Sequence, residues 1–548
     1  MKNSYRLCLA MGLVCLATGV ASAQSFRVQC PDTTTLHLAT GPGSYTGAPY
    51  TGPSLRPVTI NQDGGTMLTL TYVDNGGAIK CQQISGGDGY ATMADGTQTY
   101  LFAFGPLSGL SDIANGLPGT ELNTTFNSLT DPNGAVGLAP DPACAATPPP
   151  GNCLPNGTSG HVDPRPIMDV GVMNGNMPAP LMAFDEDDEF FLTLTNVGQI
   201  MRPDLFEQHT VHFHGYPNAS AFYDGVPDAS VAINIGGSFT YYYLAPDAGT
   251  YFWHCHITPP EHLQMGMVGQ LYVRPRQNRV PPTLNGNSFT LFQALQAQQN
   301  DPRTKCGNDI LCSTPLPVSD NHTSGGFVNG VATKLYAYND GDGSTQYDVE
   351  YPIQIHGFDP SFHFVGMTFN PEQFTDMKDK YFLLNGRSYP DTINVGGYID
   401  PATTAGVPTN SPAIYTQDAD GVSRPAQPLP TLIQIPAGGR ALLRIASLDV
   451  TEYQTLASLG IPMQVIAINA RLLRDEAGNN LYYNTNSITL GGGESLDVIL
   501  DACAVRASDG SCTTPIPSGT YYLFTPQLDH LSNDAENFGG LMTEVVIK

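Results

Sequence analysis

Short runs rich in Val, Thr, Phe and Tyr recur along the chain between clusters of Gly, Pro, Asn and Asp; Met67–Tyr72, Tyr100–Phe104, Glu189–Thr195, Ser238–Tyr243 and Gly249–Trp253 are examples. β-branched and aromatic residues between turn formers predict strands. Helical periodicity is confined to Phe289–Gln299, behind Asn287-Ser288, and to Thr451–Leu459, ahead of Gly460. The expected class is mainly β, built of Greek-key sandwiches or barrels.

A weak internal repeat points to two related halves. Asn174-Gly175, Pro178 and the strand ending Leu192-Thr193-Leu194-Thr195 are echoed by Asn385-Gly386, Pro390 and Leu442-Leu443-Arg444-Ile445. Gly249-Thr250-Tyr251-Phe252 leads to Gly266-Met267-Val268-Gly269, and Gly519-Thr520-Tyr521-Tyr522 leads to Gly540-Leu541-Met542-Thr543. The expected plan is a small N-terminal β region at 24–95, a first domain at 96–276 with a Pro/Gly/Asn-rich insertion at 107–166, a linker at 277–330 and a second domain at 331–548.

Composition narrows the function. The 548 residues include 58 Gly and 45 Pro, below the level of low-complexity disorder. With 23 Lys and Arg against 49 Asp and Glu the formal charge is -26, which repels phosphate backbones and anionic lipid, so no nucleic-acid partner is expected. Lys2 and Arg6, the apolar run Leu7–Val20 and Ala21-Ser22-Ala23 read as a secretory signal peptide over 1–23. The expectation is a protein exported to the periplasm or secreted, with no later run long enough to span a membrane. Nine cysteines remain, an odd number in a compartment that permits disulfides. Pairing Cys30 with Cys81, Cys144 with Cys153, Cys306 with Cys312 and Cys503 with Cys512 leaves Cys255 alone.

Six of the twelve histidines fall in two windows, EQHTVHFHGYPN (His209, His212, His214) and GTYFWHCHITPPEHLQMGMVG (His254, His256, His262), and the second also holds Cys255 and Met267. Side chains alternate faces along a strand, so His212 and His214 share one face and His209 takes the other. By the same parity His254 and His256 share a face and Cys255 points away. Two metal sites back to back are implied. Cys255 with His209, His262 and Met267 is the His-Cys-His set with weak axial Met used by blue copper electron-transfer centres. The four-imidazole face has no thiolate and suits copper that meets a small oxidant.

At these residues the chain resembles the multicopper oxidases of the cupredoxin superfamily, whose motifs read HxxHxHG and HCHxxxH with a later Met or Leu. His209, His212, His214 and Gly215 match the first, and His254, Cys255 and His256 match the core of the second. Asp224–Pro227 (DGVP) and Gly236–Tyr243 (GGSFTYYY) also look like the family. The resemblance implies tandem cupredoxin-like domains, a type 1 copper on His209, Cys255, His262 and Met267, a type 2 copper on His212, and a type 3 pair on His214, His254 and His256. It further implies one-electron oxidation of a reductant coupled to oxygen reduction.

Two departures stand out. The loop from Cys255 to His262 carries Pro259-Pro260 and is longer than the motif's, and the second half supplies almost none of the eight histidines a trinuclear cluster takes from two domains. Only His356 survives in YPIQIHGF, and Phe524, Thr525 and Pro526 stand where His-Cys-His would be. The second domain is therefore degenerate, and a homo-oligomer in which another subunit completes the cluster is expected, with His356 a ligand candidate. Copper nitrite reductases use an aspartate where this chain has His212; that reaction and a non-enzymatic blue copper carrier or store are the alternatives. Zinc is disfavoured because it seldom takes thioether.

The isolated His37, His161, His322, His363 and His530 read as structural, and Met168, Met173, Met177, Met182 and Met201 as core filler. Asp185–Glu189 (DEDDE) reads as a solvated turn. Asp204, Glu207 and Glu261, flanking His209 and His262, suggest a cationic reductant such as Mn(II) or Fe(II).

Overall fold

The computed structural model describes residues 27–38, 77–279 and 335–548, apart from 152, 218–219, 367–373, 395–428, 476 and 509. Elsewhere only the backbone of short strands is described, among them the hairpin of Arg56–Asn61 with Met67–Tyr72. Residues 1–23, Phe289–Gln299, the Cys306/Cys312 pair and His322 lie outside the described residues.

The first domain is a sandwich of two four-stranded layers. One holds β1 (Ile79–Thr92), β2 (Gln98–Pro106), β4 (Glu189–Gly198) and β6 (Ser238–Leu244) in the order β2-β1-β4-β6, with a short strand Glu121–Leu122 added to β1. The other holds β3 (Met182–Asp185), β5 (His212–His214), β7 (Gly249–His254) and β8 (Val268–Arg274) in the order β3-β8-β7-β5. Period-two alternation decides the faces. Along β4, Phe190, Leu192 and Leu194 enter the core between the layers, while Thr193 and Thr195 bond across to the hydroxyls of Thr240 and Ser238 at 2.8 and 2.7 Å. Burial of each large apolar side chain there contributes roughly 1.5–3 kcal/mol.

The boundary expected near 95 falls inside this domain, because β1 lies between β2 and β4. Segment 107–166 is likewise more than a surface insertion. Phe126, Val136 and Val162 join Ile167, Val28 and Ile79 in a core of their own, closed by the Cys30–Cys81 bridge.

The second domain repeats the plan. β9 (Val349–Phe358), β10 (Tyr381–Leu384), β12 (Arg440–Ser447), β14 (Met463–Ile468) and β16 (Glu494–Asp501) form one layer; β11 (Ile433–Ile435), β13 (Gln454–Leu459), β15 (Ser487–Leu490), β17 (Gly519–Phe524) and β18 (Met542–Ile547) form the other. The helix expected over Thr451–Leu459 is instead a turn and strand β13. Gln454, Leu456 and Ser458 alternate inward while Thr455 pairs outward with Thr489, and pairing to β15 and β17 overrides the local periodicity.

The domains share an apolar cluster in which Phe252 and Val268 meet Phe358, Leu383 and Leu448. Beside it, fully buried Arg444 bonds Glu350 at 3.1 Å, its carbonyl accepts from Gln270 at 2.6 Å, and Thr250 donates to Asp497 at 2.5 Å. The acidic turn Asp185–Glu189 is no solvated loop. Asp188 accepts the Ala78 N–H at 2.7 Å and pairs with Lys80 at 2.9 Å, and Glu186 takes the Asn339 amide of the second domain at 2.8 Å. The apolar cluster holds the second domain against the histidine-bearing end of β7, and the polar contacts join the domains toward its other end.

Candidate metal centre

His212 and His214 open and close β5, which pairs antiparallel with β7 so that His212 faces His254 and His214 faces Phe252. Cys255 and His256 follow the end of β7, and a short helix, α1 (Pro259–Gln264), carries His262 back over the strand. The two residues beyond the family's loop length are absorbed by this helix, which starts at Pro259.

Among the described residues, two groups of three metal-donor side chains converge, each with its donor atoms within 4.8 Å of one another. The first is His209, Cys255 and His262, all fully buried. His262 Nδ1 lies 3.2 Å from Cys255 Sγ, and the Thr210 N–H points at the same sulfur at 3.4 Å. Met267 is buried beside them, its carbonyl accepting the Cys255 N–H at 3.1 Å. Gly86 on β1 makes the space: a Cβ there would sit 2.7 Å from His209 Cδ2 and 3.5 Å from Met267 Cε.

The second group is His212, His214 and His254, with His214 Nδ1 3.3 Å from His254 Nε2. The His256 ring centroid is 5.1 Å from that of His212. His212 Nδ1 donates to the Asp224 carbonyl at 2.7 Å, which leaves Nε2 as the ligand atom. These imidazoles line a cavity of about 740 Å³ whose far wall is the second domain's Leu448–Tyr453 and Gly491–Glu494.

The donors suit copper. Both ring nitrogens of His209 are buried with no hydrogen-bond partner among the described residues, a state that a metal ligand tolerates and a structural histidine does not. Burial opposes ionisation of Cys255, yet the charge and hydrogen bond of His262 and the nearness of His209 hold the thiol well below its ordinary range, as a thiolate ligand requires. Burial, aided by the neighbouring imidazoles, pushes His254 down to about 3, and burial lowers His212 and His214 as well; all three are neutral and free to donate lone pairs.

Several expectations need correction. His356 is buried, donates to the Leu448 carbonyl at 3.0 Å and has no route to another subunit. Asp204 is held by Arg202 at 2.7 Å, Glu207 lies 3.5 Å from His262 Nε2, and Glu261 is buried, where its charge acts on the same imidazole. Met177 and Met182 are core residues, whereas Met168, Met173 and Met201 lie at the surface. Gly86, Asp449 and Thr451 carried no motif signal. They come from distant strands and turns, and only the tertiary fold brings them here.

Residues 158–278 match the multicopper oxidase family. The chain is 32% identical over 173 residues to the multicopper oxidase MCE of Talaromyces pinophilus, covering 30% of this chain and 25% of that one. It is 32% identical over 132 residues to laccase abr2 of Aspergillus fumigatus, covering 23% and 21%. The matched stretch thus spans a quarter or less of these relatives. The crystal structure of a blue copper oxidase from Nitrosomonas europaea aligns over 85% of both chains at 17% identity and a TM-score of 0.44. The similarity to multicopper oxidases and laccases is thus confined to the histidine-bearing part of the first domain.

Proposed function

We propose that this chain is an exported copper oxidase that takes single electrons from a reductant beside His262 and reduces oxygen in the histidine-lined cavity. His209, Cys255, His262 and Met267 would hold a type 1 copper; His212, His214, His254 and His256 would hold type 2 and type 3 copper. The observation that carries this reading is covalent: Cys255 of the thiolate group sits between His254 and His256, which face the cavity. Bound copper supplies the one-electron redox chemistry. The chain orients the donors, excludes water from the buried thiolate and gives oxygen a wet cavity.

The electron entry is the outer edge of His262, where Nε2 faces Glu207. A hard divalent cation wants several oxygen ligands; of the acids near the imidazole, Asp204 is held by Arg202 and Glu261 is buried, which leaves Glu207. Phe206 beside it is 83% exposed, with Ile200 and Met201 also at the surface. An aromatic reductant that stacks there and gives its proton to Glu207 therefore fits better than Mn(II) or Fe(II). Four imidazoles are half of a trinuclear set, and we propose that a second copy of the chain supplies the rest through the open side of the cavity.

Copper content, oxygen uptake and mass by light scattering test the reading together. Five coppers per pair of chains, one type 1 copper on each and three shared, with oxygen reduced to water support it. A single type 2 copper held by His214, His254 and a ligand from the next subunit, giving two coppers per chain and nitrite turnover, would favour the nitrite reductase alternative; one copper per chain without turnover would leave a carrier.

A further inference from the structure

The cavity wall that lacks histidines holds carboxylates instead. Asp449 and Thr451 line it on the turn between β12 and β13, and Asp379, ahead of β10, lies behind them; both aspartates are buried. Thr451 Oγ1 is within hydrogen-bond distance of Asp379 Oδ2 and is 3.0 Å from Asp449 Oδ1. A hydroxyl has one proton to give. It can donate to one carboxylate, and the second contact is attractive only if that carboxyl carries a proton and donates to Oγ1.

The other partners say which one. Asp449 also accepts from the Thr451 N–H at 2.9 Å, the Glu452 N–H at 3.0 Å and Gln454 Nε2 at 2.7 Å, a set that suits a carboxylate. Asp379 has one further donor, Gln264 Nε2 at 2.9 Å, and its carboxyl also meets that of Asp449 directly. Burial, reinforced by the charge of Asp449, pushes the Asp379 carboxyl well above its usual range. Gly357, next to the surviving motif residue His356, leaves the room: a Cβ there would run into Asp379 Oδ2 and Asp449 Oδ2. From Asp449 the network continues through Gln454 to His530 Nδ1 at 2.9 Å and from His530 Nε2 to the partly exposed Glu452 at 2.8 Å.

We propose that Asp379, Thr451 and Asp449 form a proton store serving oxygen reduction, so that the degenerate domain contributes protons where its counterpart would contribute ligands. The proposal rests on the oxidase reading above. Reducing one O2 to two H2O consumes four electrons, supplied by the reductant, and four protons. For each proton, the Asp379 O–H bond breaks as Thr451 Oγ1 takes it. Thr451 passes its own proton to Asp449, which releases it to water or reduced oxygen in the cavity; a proton from cavity water then returns to Asp449 and, by the reverse shift through Thr451, to Asp379.

The test uses the full chain. Infrared spectra of the copper-free protein in H2O and D2O should show the deuterium-sensitive C=O stretch of a protonated, buried carboxyl, and Asp379→Asn should remove it. In the copper-loaded protein, Asp379→Asn and Thr451→Val should leave anaerobic bleaching of the visible band by reductant unchanged and lower oxygen turnover about 100-fold, the low end of general acid catalysis. Thr451→Ser, which keeps the hydroxyl, should restore it. A carboxyl band that survives Asp379→Asn, or wild-type turnover in both variants, overturns the proposal alone. A wild type that holds copper and shows the carboxyl band yet consumes no oxygen overturns the oxidase reading, and the proposal with it.

Discussion

His262 Nε2 lies 3.5 Å from Glu207 Oε2, while the other nitrogen of the same ring faces Cys255 Sγ at 3.2 Å. One imidazole therefore joins a surface carboxylate to the buried thiolate. Glu207→Gln keeps the shape and removes the charge. It should lower kcat/KM for a phenolic reductant about tenfold, near the ~1.5 kcal/mol of one charged hydrogen bond, and leave oxygen reoxidation of the pre-reduced protein unchanged. Comparing phenol, Fe(II) and Mn(II) in steady state checks this; a loss confined to the metal ions would restore the cationic reductant.

Met267 is fully buried among Cys255, Met265 and Leu271. Leucine fits that volume at a cost of less than about 1.5 kcal/mol, so Met267→Leu should fold and retain copper. Its type 1 potential should rise, because the weak axial donor that favours Cu(II) is gone. Redox titration of the visible band measures this, and loss of copper would point to another axial ligand.

Arg444 holds Glu350 at 3.1 Å and lies 3.8 Å from Asp497 at the join between the domains. Removing one partner of a buried ionic network strands the others, so Arg444→Met should destabilise by about 3–5 kcal/mol. Urea unfolding followed by circular dichroism reads it out; a loss under about 1 kcal/mol would mean that the apolar cluster alone joins the domains.

Glu121, pushed up to about 7 by burial and then by the charges of Asp112 and Asp131, gives a pH signature. Between the ordinary carboxylate value and 7, the folded chain holds a proton that the unfolded chain has released. Stability is thus full below that window and falls as pH rises through it. Tm measured from pH 4 to 8 should decline more steeply in the wild type than in Glu121→Gln, and parallel curves would contradict the assignment.

The sequence exposed the donor side chains because copper chemistry leaves dense local motifs: strand parity alone separates His209 and Cys255 from His212, His214 and His254. It hid what lies across the cavity. Asp379 and Asp449 are ordinary acids in unremarkable turns until β9 and β12 bring them to Gly357. The Asp185–Glu189 turn misled for the same reason, since its donors, Ala78, Lys80 and Asn339, lie roughly 100 or more residues away in the chain. Thr451–Leu459 misled because six residues of alternating strand pass for two helical turns.

The central claim is that Cys255 joins a type 1 copper to copper on the neighbouring histidines. The direct measurement is the visible absorption and copper content of the loaded wild type beside Cys255→Ser. The account predicts an intense charge-transfer band in the wild type, its complete loss in Cys255→Ser with the fold intact, and copper still bound at the histidine face. A band of unchanged intensity in Cys255→Ser, or a wild type that takes up zinc and stays colourless with copper, would contradict it.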